Sequence, residues 1–227
     1  MALHREIRTT ADGSSTLHIN ELNENYHSGH GALQEARHVF IENGLKLTVQ
    51  EEINILELGF GTGLNFLVTA EEFLQNEGIR KINYFSLEKY PVTIEEAQSL
   101  NYHQLFQGDF EETFYKIHAC DWEETVEILP EINLKKFQCD FFNLENLDIP
   151  LADLVYFDCF GARVQPDLWE TPLLKMVRGK MRPGGLFTTY ASKGSLQRNL
   201  RSLGFEVQKR PGPPGKREMC TARLLDE

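Results

Sequence analysis

A glycine-rich turn between an apolar strand and a helix is the feature that most constrains this chain. Residues 53–58 are short and apolar, and they lead directly into Gly59, Gly61 and Gly63. After the turn, apolar side chains recur at helical spacing over residues 64–75. A strand, a glycine turn and a helix make up half of a βαβ unit, so the sequence predicts a parallel α/β sheet.

Strand and helix patterns alternate along the rest of the chain. Strands are predicted at residues 53–58, 82–87, 137–142, 154–157, 186–190, 205–209 and 219–224, and helices at residues 32–40, 64–75, 93–100, 166–179 and 195–203. The last two strands have no helix between them, so they must pair antiparallel. We therefore predict a doubly wound, mostly parallel sheet of seven strands that ends in an antiparallel hairpin.

Composition divides the chain into an extension and one sheet domain. Residues 1–44 are rich in turn formers and are predicted to be an N-terminal extension, with the sheet domain at residues 45–227. Residues 101–135 are acidic and aromatic, and we interpret them as an insertion over one sheet edge. No apolar run approaches the roughly 20 residues that span a bilayer, and the N-terminus lacks a signal-peptide pattern. The sequence thus predicts a cytoplasmic protein without a membrane partner.

Charge is distributed unevenly, although the net charge of −11 argues against a general nucleic-acid binder. Residues 171–223 contain twelve Lys or Arg residues and only two Glu residues. A basic C-terminal quarter can bind a polyanion on one face, but scattered basic residues equally suit a solvated surface. The four cysteines are scattered, and His27 and His30 lack an evident third ligand, so no metal site is expected.

Three carboxylates lie within or just after predicted strands, near the sheet edge where α/β proteins bind ligands. Glu88 can accept hydrogen bonds from ribose hydroxyls, or it can pair with Lys89 at the surface. Asp140 can accept from an adenine amine while Phe141 packs on the ring, or it can cap the strand end. Asp158 faces the expected position of a reactive group, and its alternative role is that of a capping or turn residue.

The spacing of the glycines limits the class of ligand that the loop is predicted to bind. Glycine lets the backbone come close to a ligand, and Glu57 precedes the Gly-x-Gly-x-Gly run. The third glycine of the dinucleotide-binding pattern would fall at Leu64, so the loop favours a ligand without a pyrophosphate. A nicotinamide-dependent reductase on the same sheet is the competing interpretation at this point.

Several motifs together resemble a known family. Met-Arg-Pro-Gly-Gly-Leu at residues 181–186 resembles the element before the fifth strand of class I methyltransferases. More narrowly, the chain resembles the MnmC methyltransferase-domain family, bacterial enzymes that act on 5-aminomethyl-2-thiouridine at the tRNA wobble position. The matching stretches are residues 26–28, 31–35, 57–66, 156–162, 165–169 and 215–219. One departure is Cys159-Phe160-Gly161, where the family more usually has Ala-Phe-Ala or Gly-Phe-Ala.

The resemblance implies a fold, a cofactor, a substrate and a set of site residues. The fold would be the Rossmann-like class I methyltransferase fold, and the cofactor would be S-adenosyl-L-methionine. The residues expected to bind it are Glu57, Gly59, Gly61, Gly63, Glu88, Asp140 and Phe141. Asp158 would orient the substrate amine and accept its proton. The residues expected to bind substrate are Tyr26, His27, Glu35, Phe160, Lys193, Arg198, Arg201, Lys216 and Arg217.

The same resemblance implies how the substrate arrives. The basic residues would hold phosphates of the tRNA anticodon stem-loop while aromatic side chains stack on the wobble base. Many family members also carry a flavin-dependent oxidase domain, for which 227 residues leave no room. A stand-alone form served by separate upstream tRNA-modifying enzymes is therefore expected. The alternatives are methylation of a small-molecule or protein amine, and a non-catalytic cofactor-binding module.

Overall fold

Two β-sheets organise the computed structural model, which describes residues 4–226. An antiparallel sheet contains β1 (Arg5–Thr9), β2 (Ser15–Ile19) and β3 (Glu24–Asn25). The larger sheet contains β4 (Glu52–Leu58), β5 (Lys81–Leu87), β6 (Thr125–Leu129), β7 (Ile132–Phe137), β8 (Ala152–Phe157), β9 (Met181–Thr189), β10 (Phe205–Pro211) and β11 (Glu218–Leu224). Its strand order is β10-β11-β9-β8-β4-β5-β7-β6.

The larger sheet is doubly wound, as predicted. Strands β4, β5, β7, β8 and β9 run parallel, and β11 is antiparallel to both β9 and β10. The closing hairpin is therefore confirmed. The chain moves outward in one direction from β4 to β5 and β7, then in the other direction from β8 to β9. The strand order thus reverses between β4 and β8, where a crevice opens at their carboxyl ends.

The sheet has eight strands within residues 4–226 rather than seven, because the predicted insertion supplies a strand pair at its edge. Residues 125–129 form β6, and they pair antiparallel with β7. The prediction of the third strand at residues 137–142 is wrong, since β7 ends at Phe137 and Phe141–Asn146 form a 3₁₀ helix. Lys136 interrupts the apolar sequence pattern of β7, although its side chain is fully buried. Its Nζ donates a hydrogen bond to the Ile117 carbonyl at 2.7 Å.

Six α-helices of the described residues cover the two faces of this sheet. They are α1 (Ala32–Ala36), α2 (Leu64–Gln75), α3 (Ile94–Gln98), α4 (Glu111–Ala119), α5 (Thr171–Gly179) and α6 (Gly194–Ser202), and α1 continues as a π-helix over Arg37–Glu42. Helix α3 begins with a capping box, in which the Thr93 and Glu96 side chains each accept from the other's backbone N–H. No helix within residues 4–226 is both long and apolar enough to cross a membrane.

The N-terminal segment packs directly onto the sheet domain. Leu17 of β2 and Val39 of the π-helix are buried in the same apolar cluster as Ile55 of β4 and Leu67 of α2. Polar contacts reinforce this packing, since the Ser15 backbone N–H donates to Asn101 Oδ1 at 2.8 Å. The segment therefore lies against the carboxyl edge of the sheet, where the crevice opens.

Candidate active site

The crevice between β4 and β8 leads into a cavity of about 610 Å³. The two strands meet at its base, where the Asp158 N–H donates to the Leu58 carbonyl at 3.1 Å. Gly59, with a φ of +102°, bends the chain from β4 along the cavity wall. A volume of this size suits a nucleoside-sized ligand, since small-molecule sites are typically about 300–1,000 Å³.

Asp158 lies half-buried at the base of the cavity. Its Oδ2 accepts a hydrogen bond from Asn65 Nδ2 at 2.8 Å, and Asn65 projects from the first turn of α2. Burial raises the pKa of Asp158 to about 7, and the bond from Asn65 partly opposes this shift. The carboxyl therefore changes its protonation state close to neutral pH, which suits a group that exchanges a proton with substrate.

Glu57 lies beneath the glycine loop rather than in the cavity. It is fully buried, and its two carboxyl oxygens accept from Asn65 Nδ2 at 3.0 Å and from Ser86 Oγ at 2.6 Å. Burial raises the pKa of Glu57 to about 8. Glu57 and Gly63 do not line the cavity, and a Cβ at Gly63 would lie 2.7 Å from Ile117 Cδ1. Direct contact of either residue with a cofactor stays a prediction.

Asn65 is a site residue that the sequence reasoning missed. Its side-chain amide donates hydrogen bonds to both Glu57 and Asp158. Asn65 therefore connects a carboxyl group within β4 to the carboxyl group that follows the adjacent strand β8. Its Oδ1 is buried and finds no hydrogen-bond partner within residues 4–226. Since Asn65 lines the cavity, this unpaired acceptor lies beside the space that a ligand would occupy. Its place in the first turn after the glycines was the signal that could have revealed it.

Glu88 forms the cavity wall next to the glycine loop. Its carboxylate accepts from the Gly61 N–H at 3.1 Å and from the Tyr90 N–H at 2.8 Å. Burial raises its pKa, while these backbone bonds favour the charged form. A carboxylate has about four acceptor positions, and those that the backbone leaves unused can accept from hydroxyl groups of a ligand. The surface pairing with Lys89 that was the alternative for Glu88 is made by Asp140 instead.

Asp140 and Phe141 lie farther along the same wall. Asp140 Oδ2 is 2.8 Å from Lys89 Nζ, and Oδ1 accepts from the Phe142 N–H at 3.0 Å. The lysine contact lowers the pKa of Asp140. Asp140 therefore caps a 3₁₀ helix rather than a strand end, and it remains on the cavity surface, where adenine binding stays a prediction.

The N-terminal segment closes the opposite side of the cavity. The Tyr26 ring meets the Phe160 ring edge-on, with centroids 5.3 Å apart. His27 Nε2 lies 2.8 Å from Thr62 Oγ1 of the glycine loop, and burial lowers the pKa of His27 to about 4, so its ring is neutral at pH 7. Glu35 Oε2 accepts from the Ser28 N–H at 2.9 Å. All of these side chains except Thr62 line the cavity.

The basic residues predicted to bind substrate fall into two groups. Lys216 is half-buried and lines the cavity. Four others are exposed and lie outside the cavity lining, on α6, at its N-cap and in the β10–β11 hairpin: Lys193, Arg198, Arg201 and Arg217. Within residues 4–226, no group of three His, Cys, Asp or Glu side chains is arranged to hold a metal ion.

The buried titratable groups predict how stability depends on pH. The folded protein holds protons on Asp158 and Glu57 up to pH values of about 7 and 8, where the unfolded chain has released them. The free energy of unfolding therefore falls as the pH rises. Desolvation lowers the pKa of half-buried His27 and His118 to about 4, so these histidines act in the opposite direction between about pH 4 and the ordinary histidine pKa of 6.5. Above about pH 6.5 the histidines no longer oppose the two carboxyl groups. The free energy of unfolding should therefore fall between about pH 6.5 and 8.

We expect the Tm of the ligand-free protein to fall between about pH 6.5 and 8. The Asp158→Asn variant should lose stability less steeply, because one titrating carboxyl is gone. Thermal unfolding followed by circular dichroism measures both slopes. The matched control is Asp167→Asn, an exposed carboxylate outside the cavity lining, which should keep the wild-type slope. A slope for Asp158→Asn as steep as the wild-type slope would contradict the assigned burial effect.

The geometry on its own defines a class of protein. A doubly wound sheet with a closing antiparallel hairpin, a glycine loop after its first parallel strand and a carboxylate after the next strand is the arrangement of a class I methyltransferase. The sequence independently matches the family model described as S-adenosyl-L-methionine-dependent methyltransferase over residues 86–224. That match covers more than half of the chain, which therefore belongs to this family and uses S-adenosyl-L-methionine.

Individual relatives show which members of this family the chain is similar to. A tRNA 5-methylaminomethyl-2-thiouridine biosynthesis bifunctional protein MnmC from Cupriavidus metallidurans is 30% identical over 213 residues, covering 88% of this chain and 31% of the relative. The MnmC protein of Leptospira borgpetersenii is 28% identical over 214 residues, covering 87% of this chain and 32% of its own length. The chain thus spans about a third of the length of these curated relatives.

A solved structure agrees with the sequence relatives. The crystal structure of MNMC2 from Aquifex aeolicus superposes with a TM-score of 0.80 at 25% identity, covering 98% of this chain and 71% of that chain. The resemblance to the MnmC methyltransferase domain that the motifs predict is therefore confirmed.

The residues of the cavity fit the cofactor of the family. Glu88 presents unused acceptor positions beside the glycine loop, and the unpartnered Asn65 Oδ1 presents another at the cavity base. Glu88 would hold the ribose hydroxyls and Asn65 would face the amino-acid portion. When bound, S-adenosyl-L-methionine supplies a methyl group on a positively charged sulfur.

Proposed function

We propose that this protein transfers a methyl group from S-adenosyl-L-methionine to the amine of 5-aminomethyl-2-thiouridine at the wobble position of tRNA. The observation that carries the proposal is a convergence. Residues from motifs far apart in the sequence, each matching the MnmC methyltransferase domain, line one cavity. They are Tyr26, His27, Glu35, Gly59, Gly61, Asp158, Phe160 and Lys216. On this proposal, residues 1–44 act as an extension that completes the active site of the domain at residues 45–227.

The reaction requires a neutral amine and a destination for one proton. The nitrogen lone pair forms the new N–C bond as the C–S bond breaks, leaving a thioether and a positively charged secondary amine that then releases a proton. Asp158 lies at the cavity base with a pKa raised to about 7, so its carboxylate can orient the amine and take that proton. Asn65 holds the carboxylate through one oxygen and leaves the other oxygen for the substrate.

The acidic protein needs a local surface for a polyanionic substrate. The proposed contacts are the exposed Lys193, Arg198, Arg201 and Arg217, which would hold phosphates of the anticodon stem-loop. Exposed Tyr90 and Phe142 lie on the cavity wall, where aromatic faces can stack on an unpaired base. The net charge of −11 would discourage indiscriminate binding elsewhere. Separate upstream tRNA-modifying enzymes would supply the aminomethyl group.

A direct assay tests the proposal. The protein is incubated with methyl-labelled S-adenosyl-L-methionine and tRNA that lacks only the final methyl group, and the tRNA is digested to nucleosides. The expected label is on 5-methylaminomethyl-2-thiouridine. The matched control is the same tRNA carrying an unmodified wobble uridine, which offers no amine. Binding of the cofactor without any labelled tRNA product would reject the proposal and favour a small-molecule or protein amine as substrate.

Charge reversal should separate phosphate binding from chemistry. We expect the combined variant Lys193→Glu, Arg198→Glu and Arg217→Glu to weaken tRNA binding by at least about tenfold at low salt. The slope of log affinity against log salt should decrease, because fewer counterions are released on binding. Filter binding across a salt series measures both quantities. The control Lys175→Glu changes an exposed lysine on α5, and an equal effect in that control would show only a general charge effect.

A further inference from the structure

Lys216 is a basic side chain that points into the active-site cavity. Its Nζ is 2.5 Å from Glu35 Oε1 and 3.6 Å from the centroid of the Tyr190 ring. All three side chains line the same cavity as Asp158. The Lys216 side chain is paired inside the cavity and stays about 33% exposed. Contact with an RNA phosphate stays a prediction for Lys216, and its pairing at the cavity suggests a different role.

The backbone of the β10–β11 hairpin fixes this position. The Lys216 N–H donates to the Pro213 carbonyl at 2.9 Å, which closes a tight turn. Gly215 has a φ of +85°, and a Cβ at this residue would lie 2.0 Å from His30 Cδ2. The turn is thus pressed against the segment before α1, and the next residue is directed towards Glu35.

Opposing charges act on an amine bound in this cavity. The carboxylate of Asp158 orients the amine, but it also favours the ammonium form, which has no lone pair. A cation in the same cavity has the reverse effect, because it disfavours a second positive charge nearby. The geometry points to a positioning role for Lys216 in which its ammonium group, held by Glu35 against Tyr190, keeps the substrate amine neutral and nucleophilic. This inference rests on the proposed function, because it concerns the amine of that substrate.

Titratable and charged groups from several elements lie around Lys216. They are Glu35 on α1, Asp158 after β8, Tyr190 after β9, His27 and His30 before α1, Glu24, Arg163 and Glu88 on the cavity wall, and Arg217 and Glu218 on the hairpin itself. Burial keeps His27 neutral by lowering its pKa to about 4, and keeps Tyr190 neutral by raising its pKa. Glu24 is paired with Arg163. Burial is the main cause of the raised pKa of Asp158; among the charges, Glu35 raises this pKa and Lys216 has a smaller effect that lowers it.

The pH dependence of methyl transfer tests this role. With saturating S-adenosyl-L-methionine, kcat/KM for the aminomethyl tRNA is measured from pH 6 to 10. In Lys216→Met the acid limb should move up by about one pH unit, so the rate falls about tenfold at pH 7 and recovers at high pH. Lys216→Arg keeps the charge and should restore most of the wild-type profile. The control Lys209→Met breaks the Lys209–Glu218 pair of the same hairpin and should leave the profile unchanged.

A second variant tests the direction of the pH shift. Glu35→Gln removes the counter-ion and leaves the lysine, so the acid limb should move down in pH instead of up. If only the structural loss of the Lys216–Glu35 pair mattered, the acid limb would move in the same direction in both variants. That result would overturn the inference. In an Asp158→Asn background the amine is the remaining titrating group, and Lys216→Met should still raise the limb. Calorimetry with S-adenosyl-L-methionine and the Tm of each variant confirm that it is folded and binds cofactor.

The outcomes separate this inference from the proposed function. No methylation of the tRNA by the wild-type protein would reject the function itself. Wild-type turnover with an unmoved profile in Lys216→Met would reject only the role of Lys216. A phosphate contact predicts a third pattern, in which Lys216→Met lowers tRNA affinity and reduces the salt slope by about one while the pH profile stays unchanged. That pattern would also overturn the inference.

Discussion

Replacing Asp158 by asparagine should reduce methyl transfer to tRNA by about 10²–10⁴-fold, the usual contribution of a positioned proton acceptor. The change preserves the size of the side chain, and the Asn65 amide can still donate to the oxygen of the new amide. What is lost is the negative charge that orients the amine and the group that takes its proton. Single-turnover transfer of labelled methyl to the aminomethyl tRNA measures this effect.

Cofactor binding should survive the same substitution. Asp158 is proposed to face the reacting amine, so calorimetry should give S-adenosyl-L-methionine an affinity close to that of the wild-type protein. The control Asp167→Asn removes an exposed carboxylate near the same end of the sheet, outside the cavity lining, and should turn over normally. A rate for Asp158→Asn within about threefold of wild type would remove the residue from the chemistry.

Replacing Gly59 by alanine should abolish most of the affinity for S-adenosyl-L-methionine. A Cβ at this position would lie 2.8 Å from the backbone carbonyl oxygen of Asp158, and the φ of +102° is itself strained for alanine. Backbone atoms lie on both sides of the clash, so the loop itself must shift. That shift would disturb the hydrogen bonds from Gly59 and Phe60 to the Leu87 carbonyl. We expect at least about a 100-fold loss of affinity, or about 2.7 kcal/mol.

A second glycine separates loop displacement from simple backbone strain. Gly108 has a φ of +84°, and a Cβ there would meet no atom within 4 Å. Gly108→Ala should therefore lower the Tm modestly and leave cofactor affinity unchanged. Equal cofactor affinities for the two variants, measured by calorimetry, would show that the turn at Gly59 does not seat the ligand.

The sequence was most informative where local pattern and backbone geometry coincide. The glycine loop, helix Leu64–Gln75 and the closing hairpin were predictable because periodicity and turn residues determine them locally. Glu88 and Asp158 were predictable as cavity residues because parallel strands end at a common edge. Strand β7 was misplaced because a buried lysine, held by a helix carbonyl, breaks the apolar pattern.

Contacts between distant segments were not predictable from local pattern. The pairing of Glu35 with Lys216 joins residues 181 positions apart, and neither residue has a neighbouring motif that specifies the other. The position of Glu57 under the loop depends on Ser86 of the adjacent strand and on Asn65, whose side-chain directions follow from packing. The predicted strands and motifs include these residues, but only the three-dimensional arrangement defines which side chains are in contact.

The contact between the β10–β11 hairpin and the segment before α1 also has a consequence for biosynthesis. One wall of the cavity comes from residues near the start of the chain, and the side chain that meets it comes from residue 216. During translation, this wall lacks its counterpart until the β10–β11 hairpin has left the ribosome. Protection of nascent chains by the cofactor should therefore begin only after residues 205–224 have emerged and paired.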